Sequence, residues 1–179
     1  MVPEKTPSRE TRGTITSPKT ESESENRSNT SLPDLTVDIT VSATANAGDA
    51  IGTSMVVTVM NGGTATAPEK LPPGRPSTGY GTDVYIASSA TPPPSQPIYN
   101  ANYSEYVLFQ GGRANNTMDL AAGSRTGYSS QLNQSAIPAD TPAGSYYVCA
   151  WVDPGELVSE LDESNNITCQ PITIGAGGL

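Results

Sequence analysis

The sequence predicts an all-β fold in which short antiparallel strands form a sandwich. Three observations lead to this prediction. Apolar residues alternate with polar ones in several short segments, which is typical of strands with one face in a core. Glycine and proline, 17 and 16 of the 179 residues, cluster between those segments, where turns are needed. No segment combines the apolar period of a helix with capping residues, so we expect no long helix.

Two strands are expected in the first part of the domain. Residues 35–41 form the first strand, which is followed by a turn at Gly48-Asp49. Residues 55–60 form the second strand, which ends at Asn61-Gly62-Gly63. The apolar residues expected to face the core are Leu35, Val37, Ile39, Val41, Met55, Val57 and Val59.

The middle of the chain alternates between long loops and shorter strands. Residues 64–79 and 90–104 are rich in proline and glycine or serine, and we interpret both as loops. The strands expected around them are Tyr80–Ala87, a short Tyr106–Gln110, a weak segment that ends at Leu120, and the polar residues 125–132.

The last two strands are the clearest. Residues 145–152 and 167–174 alternate strongly and enclose an acidic hairpin. With them the chain has about seven short strands separated by turns, which is the pattern of an immunoglobulin-like antiparallel β-sandwich.

The N-terminal residues 1–31 differ from the domain that follows. They contain five acidic and five basic residues and almost no large apolar ones. We expect this polar extension to be disordered unless a partner orders it. It lacks the apolar segment of a signal peptide. Residues 32–179 form the expected domain and carry the whole net charge of −9.

Two segments of the domain resemble a known family. They are Ile137–Val148, with the sequence IPADTPAGSYYV, and Val152–Asn166, with VDPGELVSELDESNN. With Pro33-Asp34-Leu35 and Asn61–Thr64, they make residues 32–175 similar to the cell-adhesion-related domain found in bacteria (CARDB). The resemblance implies an immunoglobulin-like module of secreted or surface proteins in bacteria or archaea, and most members have no assigned ligand.

The two cysteines lie on the last two strands. Alternation places Cys149 and Cys169 on the outer face of neighbouring antiparallel strands, where opposed residues come within bridging range. We therefore predict a cross-strand disulfide and an oxidising final location. The alternative is a pair of free thiols.

The hairpin between these strands carries acidic residues that allow two interpretations. Carboxylate oxygens are ligands for Ca²⁺, so a calcium site is one hypothesis. The other is structural, with a type II turn at Pro154-Gly155 and side chains that bond nearby backbone groups. The resemblance favours the structural interpretation, and no other cofactor is expected. The candidate calcium ligands are Asp153, Glu160, Asp162 and Glu163.

Aromatic residues mark the candidate binding surface. Tyr147 and Trp151 share the outer face of the strand that holds Cys149, where they would stack on a sugar or anchor a protein, unless a long loop covers them. Tyr99, Tyr103 and Tyr106 cluster in and beside the second long loop. The possible N-glycosylation sites are Asn26, Asn29, Asn102, Asn115, Asn133 and Asn166.

The composition also excludes classes of function. The chain has no histidine, so a Ser-His-Asp or Cys-His active site is excluded, and we expect no enzyme. Its net charge of −9 argues against nucleic acid. No apolar run reaches the length of about 18 residues that a transmembrane helix needs.

Two hypotheses of function remain. The first is an adhesion or binding module that meets a protein or glycan in an extracellular or cell-surface location. The second is a structural subunit of an extracellular filament or a virion surface, which self-assembles through its N-terminal extension.

Overall fold

The structure is a computed structural model, and it describes residues 31–69, 80–96 and 105–176. Expectations for the rest of the chain lie outside these ranges. They concern the N-terminal extension through residue 30, the parts of the two predicted loops over 70–79 and 97–104, and the individual residues Asn26, Asn29, Tyr99, Asn102 and Tyr103.

The described chain is an all-β sandwich of two sheets, as the sequence predicts. Strands β1, β3 and β6 form one sheet in that order, and the other sheet has the order β2-β8-β7-β4-β5. The elements are β1 (Leu35–Thr40), β2 (Thr44–Asn46), β3 (Val56–Asn61), β4 (Gly81–Ala87), β5 (Tyr106–Asn115), β6 (Arg125–Gly127), α1 (Ser129–Leu132), β7 (Gly144–Val152) and β8 (Ile167–Gly175).

The core lies between the two sheets and contains the residues that alternation selects. β1 and β3 pair antiparallel, with Val37 opposite Val59 and Ile39 opposite Val57. These side chains pack against inward-facing residues of the second sheet. The buried members from that sheet include Val84, Ile86, Val148, Ala150, Val152, Ile172 and Ile174. Of the residues expected to face the core, Val41 lies beyond β1 and is only partly buried.

Strand β5 is longer than the predicted segment Tyr106–Gln110. It continues through two glycines to Asn115, and its register against β4 shifts between Asp83 and Tyr85. Gly111 has a φ of 69°, which a residue with a side chain rarely adopts. A Cβ on Gly112 would lie 2.5 Å from the Val84 carbonyl oxygen. The glycines therefore form a bulge within the strand, not the turn that the sequence suggests.

The predicted strand over residues 125–132 is wrong in its second half. β6 ends at Gly127, and α1 forms a single turn from Ser129 to Leu132. The turn buries Leu132 in the core and brings Gln131 to the edge of β5. There the Gln131 side chain accepts from the Asn115 N–H and donates to its carbonyl oxygen.

One edge of the sandwich has a short parallel pairing that the sequence does not predict. The chain crosses between sheets after Thr40, and β2 pairs parallel with β8. β1 and β2 thus belong to different sheets although only residues 41–43 separate them. Alternation within each strand does not encode this crossing.

Candidate functional site

The outer face of the five-stranded sheet brings together five of the candidate residues, which lie in three rows with their neighbours. We call this surface the outer face. The rows follow the strand register across β5, β4, β7 and β8. They are Arg113–Asp83–Trp151–Ile167, Leu108–Tyr85–Cys149–Cys169 and Tyr106–Ala87–Tyr147–Pro171.

Residues 88–96, which we call the strap, lie across part of this outer face. Gln96 Nε2 donates to Asp83 Oδ2 at 3.0 Å, and the Ala90 carbonyl oxygen lies 3.9 Å from Cys169 Sγ. The strap buries Pro93, and it encloses a cavity of about 350 Å³ with Ala87 and Tyr106. Of the predicted aromatic residues, Tyr106 lines this cavity together with the strap.

An ion pair forms the polar end of the outer face. Arg113 donates from Nε to Asp83 Oδ1 at 2.6 Å and from Nη2 to Oδ2 at 2.7 Å. Asp83 is 0% exposed, so this bidentate pairing compensates a buried charge. The hydrogen bond with Asp83 raises the pKa of Arg113.

Sequence reasoning missed both residues of this ion pair. One feature could have found Asp83, since it is the single charged residue in an otherwise apolar or neutral strand. Its partner could not be identified, because Arg113 lies 30 residues away, beyond a bulge that sets its register.

Tyr85 lies in the row below the ion pair and is fully buried. Its hydroxyl has no hydrogen-bond partner in the described part of the chain. Burial, followed by the charge of Asp83, raises the pKa of this phenol, so it stays protonated. A buried phenol without a partner is an available donor and acceptor.

The predicted cysteine pair is at disulfide distance in the structure. Cys149 and Cys169 are directly opposed on β7 and β8, with their Cα atoms 4.0 Å apart. Both cysteines lie on the outer face, as alternation predicts, and Cys149 is fully buried there. The reason is that Tyr85, Ala87 and the neighbouring aromatic side chains pack around it.

The structure brings together three of the five predicted aromatic candidates. Tyr106, Tyr147 and Trp151 are half-buried and pack against the cluster formed by Tyr85, Ala87 and Cys149. Each therefore presents part of its ring to solvent beside the strap. Trp151 also lies directly opposite Asp83, so an aromatic surface adjoins a carboxylate.

The acidic hairpin is organised by hydrogen bonds to its own backbone. The buried Asp153 accepts from the N–H groups of Leu157 and Val158, at 3.1 and 2.8 Å. Glu163 accepts from the Glu160 N–H, and Asp162 accepts from Ser164. The Ser164 bonds lower the pKa of Asp162, whereas burial raises that of Asp153.

Glu160 ties this hairpin to the first strand. Its Oε2 accepts from the Leu35 N–H, and its Oε1 accepts from Asn166 Nδ2 at 2.8 Å. Glu160 is 8% exposed, and burial raises its pKa to about 7. These contacts give the hairpin the structural role of holding the end of the sandwich closed.

The calcium hypothesis finds no assembled site in this conformation. Within the described ranges, no three His, Cys, Asp or Glu side chains converge on a common metal position. The four candidate ligands point instead to separate backbone donors. The turn at Pro154-Gly155 also differs from the prediction, since positive φ occurs at Asp153 and Glu156 rather than at the glycine required by a type II turn.

The structure separates the described glycosylation candidates into two groups. Asn115 and Asn133 are exposed. Asn166 is 3% exposed and donates its amide N–H to Glu160. Because a glycan would be attached to that same nitrogen, the Asn166 sequon is closed in the folded domain.

These features define an immunoglobulin-like sandwich with one partly covered aromatic face. Solved CARDB domains are similar to it. The crystal structure of one from Pyrococcus furiosus, in complex with di-metal ions, has 21% identity and a TM-score of 0.46, covering 80% of this chain and 90% of that one. The solution structure of the same domain has 21% identity and a TM-score of 0.47, covering 80% and 95%.

A third similar structure is a domain of a proposed cell-surface protein from Methanosarcina acetivorans. It has 17% identity and a TM-score of 0.47, covering 80% of this chain and 93% of that one. The first two of these structures are domains of the family that the sequence resembles. No family model matches the chain, and no curated protein matches it. In the described ranges, no helix has the length and apolar character of a membrane span.

Proposed function

We propose that the chain is a non-catalytic binding module in an extracellular or cell-surface location, and that its outer face meets a glycan. The observation that supports this most directly is the row in which Trp151 adjoins the Asp83–Arg113 ion pair. An aromatic ring stacks on the apolar face of a pyranose, while a carboxylate and a guanidinium bond its hydroxyls. The paired cysteines support an oxidising location.

The single tryptophan makes this proposal easy to test. Trp151 is the only tryptophan of the chain, so its fluorescence reports on the outer face alone. We expect short neutral gluco-, manno- or galacto-oligosaccharides to change this emission as they bind. The Tyr147→Ala variant should bind about fivefold more weakly, because an aromatic contact is worth about 1 kcal/mol.

The matched control is Met118→Ala, which removes an exposed side chain outside the rows of the outer face. Its affinity should equal that of the unmodified chain. Equal affinity in the Tyr147→Ala variant would contradict the placement of the site. Absence of saccharide binding, with capture of a defined protein ligand at Trp151 instead, would replace the glycan by a protein partner.

A second candidate function is assembly through the N-terminal extension. It is supported by the position of β1, which is an edge strand of the three-stranded sheet and follows the extension directly. Edge strands pair with added strands through their free backbone groups. Light scattering and negative-stain microscopy on the full chain and on residues 32–179 test this. Oligomers formed only by the full chain would favour assembly, and two monomers would exclude it for the isolated protein.

A further inference from the structure

The strap donates a hydrogen bond to Asp83, and a ligand hydroxyl on the outer face would need to donate to the same carboxylate. Gln96 Nε2 donates to Asp83 Oδ2 at 3.0 Å. The two bonds from Arg113 occupy the same carboxylate from the neighbouring strand. Arg113 is fixed in the sheet, whereas Gln96 belongs to a loop. Of the donors on Asp83, therefore, the Gln96 amide is the one that a ligand could replace.

We propose that Gln96 competes with a saccharide ligand for Asp83. Its side-chain amide occupies the position on the Asp83 carboxylate that a sugar hydroxyl would take, so the ligand binds only when the strap moves away from the outer face. This inference rests on the proposed glycan-binding function and specifies how access to that site is controlled.

The groups of the outer face around Asp83 fit a neutral pyranose. Trp151 lies opposite Asp83 on the neighbouring strand, which places a stacking surface next to an acceptor. The buried Tyr85 hydroxyl in the next row has no partner within the described ranges, so it can bond a ligand hydroxyl. The net charge of −9 disfavours an acidic sugar.

The strap is held weakly enough to act in this way. Of its nine residues, Pro93 is buried and the others are exposed. Gln96 supplies a side-chain hydrogen bond between strap and sheet, which its substitution would remove.

The test uses the full chain and the variant Gln96→Ala. Collisional quenching of Trp151 fluorescence by acrylamide measures how often the outer face opens. Loss of a hydrogen bond to a charged group should shift the ratio of open to closed strap about tenfold. We expect the quenching constant of Trp151 to rise, and the affinity for the bound oligosaccharide to rise with it by up to the same factor.

Two further variants sharpen the test. Ser95→Ala changes the neighbouring exposed strap residue and should leave both quenching and affinity unchanged. Gln96→Glu places a second carboxylate beside Asp83 and should open the strap at least as far as Gln96→Ala does. Thermal melts of each variant establish that the domain is folded, so a rise in quenching cannot be attributed to unfolding.

The outcomes separate this proposal from the proposed function. Saccharide binding with equal affinity and equal quenching in Gln96→Ala would overturn the competitor while glycan binding stands. Increased quenching with no saccharide binding by any variant would overturn the saccharide as ligand, and the glycan-binding function with it. Increases in both quenching and affinity support the proposal.

Discussion

At the scale of single residues, Asn61 makes the densest polar contacts of the core. Its side chain is fully buried, and it accepts from the Asp34 and Gly63 N–H groups at 3.1 and 3.0 Å. It also donates to the carbonyl oxygens of Ala65 and Leu120 at 2.8 and 2.9 Å. One amide therefore joins the start of β1, the end of β3 and two loops.

We predict that Asn61→Ala lowers the free energy of unfolding by about 3 kcal/mol, because it leaves several buried backbone groups without partners. Urea denaturation followed by circular dichroism measures the change. Asn133→Ala is the matched control, since Asn133 is exposed and its loss should cost little. A cost below about 1 kcal/mol for Asn61→Ala would show that water replaces the lost bonds.

Glu160 is a buried acidic residue with a raised pKa. Burial raises its pKa to about 7 from the ordinary 4.5, and the nearby Glu163 and Asp153 carboxylates add to this rise. The two donors on its oxygens, Leu35 and Asn166, oppose it without cancelling it. When Glu160 is protonated, its hydroxyl can donate to Asn166 Oδ1, which has no partner among the described residues, once the amide rotates.

We predict that the domain loses stability as pH rises from about 4.5 to about 7. The folded state retains the Glu160 proton in this range and the unfolded state does not. The slope from this group is at most about 1.4 kcal/mol per pH unit. Glu160→Gln should flatten the slope in urea titrations at several pH values, whereas Glu105→Gln, at an exposed position, should not. A slope unchanged in Glu160→Gln would assign it to another group.

Residue-level prediction from the sequence succeeds where the rule is local. Alternation identifies Val37, Val57 and Val148 as core residues because a strand turns every second side chain inward. It cannot identify the partners of Asp83 or Glu160. Those contacts join positions 30 and 125 residues apart, and they depend on register and on the sheet order.

At the scale of elements, the β7–β8 hairpin is held together by both backbone pairing and a pair of cysteines. Its strands pair over eight residues from Gly144 to Trp151, and the opposed Cys149 and Cys169 join them. The sulfur bridge closes a loop with a sequence separation of 20. Closing this loop lowers the conformational entropy of the unfolded chain more than that of the folded chain, and it thereby stabilises the folded state.

We predict that the double variant Cys149→Ala/Cys169→Ala lowers the free energy of unfolding by about 3 kcal/mol. Urea denaturation with and without a reductant measures this. The reductant should destabilise the unmodified chain by a similar amount and leave the double variant unaffected. If the reductant has no effect on the unmodified chain, its cysteines are free thiols in solution.

The ends and edges of the strands are where element prediction fails. β5 extends beyond its predicted end because Gly111 and Gly112 form a bulge in place of a turn. β6 stops early because the following residues turn into α1 to bury Leu132. A glycine pair is compatible with either a turn or a bulge, and a short polar segment with either a strand or a helical turn. The sequence alone does not distinguish these alternatives, and tertiary packing decides which one forms.

At the scale of the whole molecule, the domain carries a large excess of acidic over basic residues. The net charge of −9 resides entirely on residues 32–179, where acids outnumber bases by more than three to one. One of the few bases, Arg113, is committed to the ion pair with Asp83. Repulsion among the remaining carboxylates therefore opposes the compact state.

We predict that sodium chloride raises the urea midpoint of unfolding at neutral pH, because salt screens this repulsion. The rise should be steepest at low ionic strength and level off as the Debye length falls below about 10 Å. Potassium chloride should act equally, which would identify screening rather than ion binding as the cause. A midpoint that falls with salt would mean that attractive pairs dominate.

The bridge between Cys149 and Cys169 also determines how the domain responds to tension. Force that stretches the chain from its two ends passes directly from one cysteine to the other, so the acidic hairpin between them stays slack. The extended length of the unfolded chain is therefore shorter by about 70 Å, since the bridge spans 20 residue steps of about 3.5 Å each. If the domain is displayed on a surface under shear, its unfolded chain would extend less far, and the residues between Cys149 and Cys169 would not be stretched.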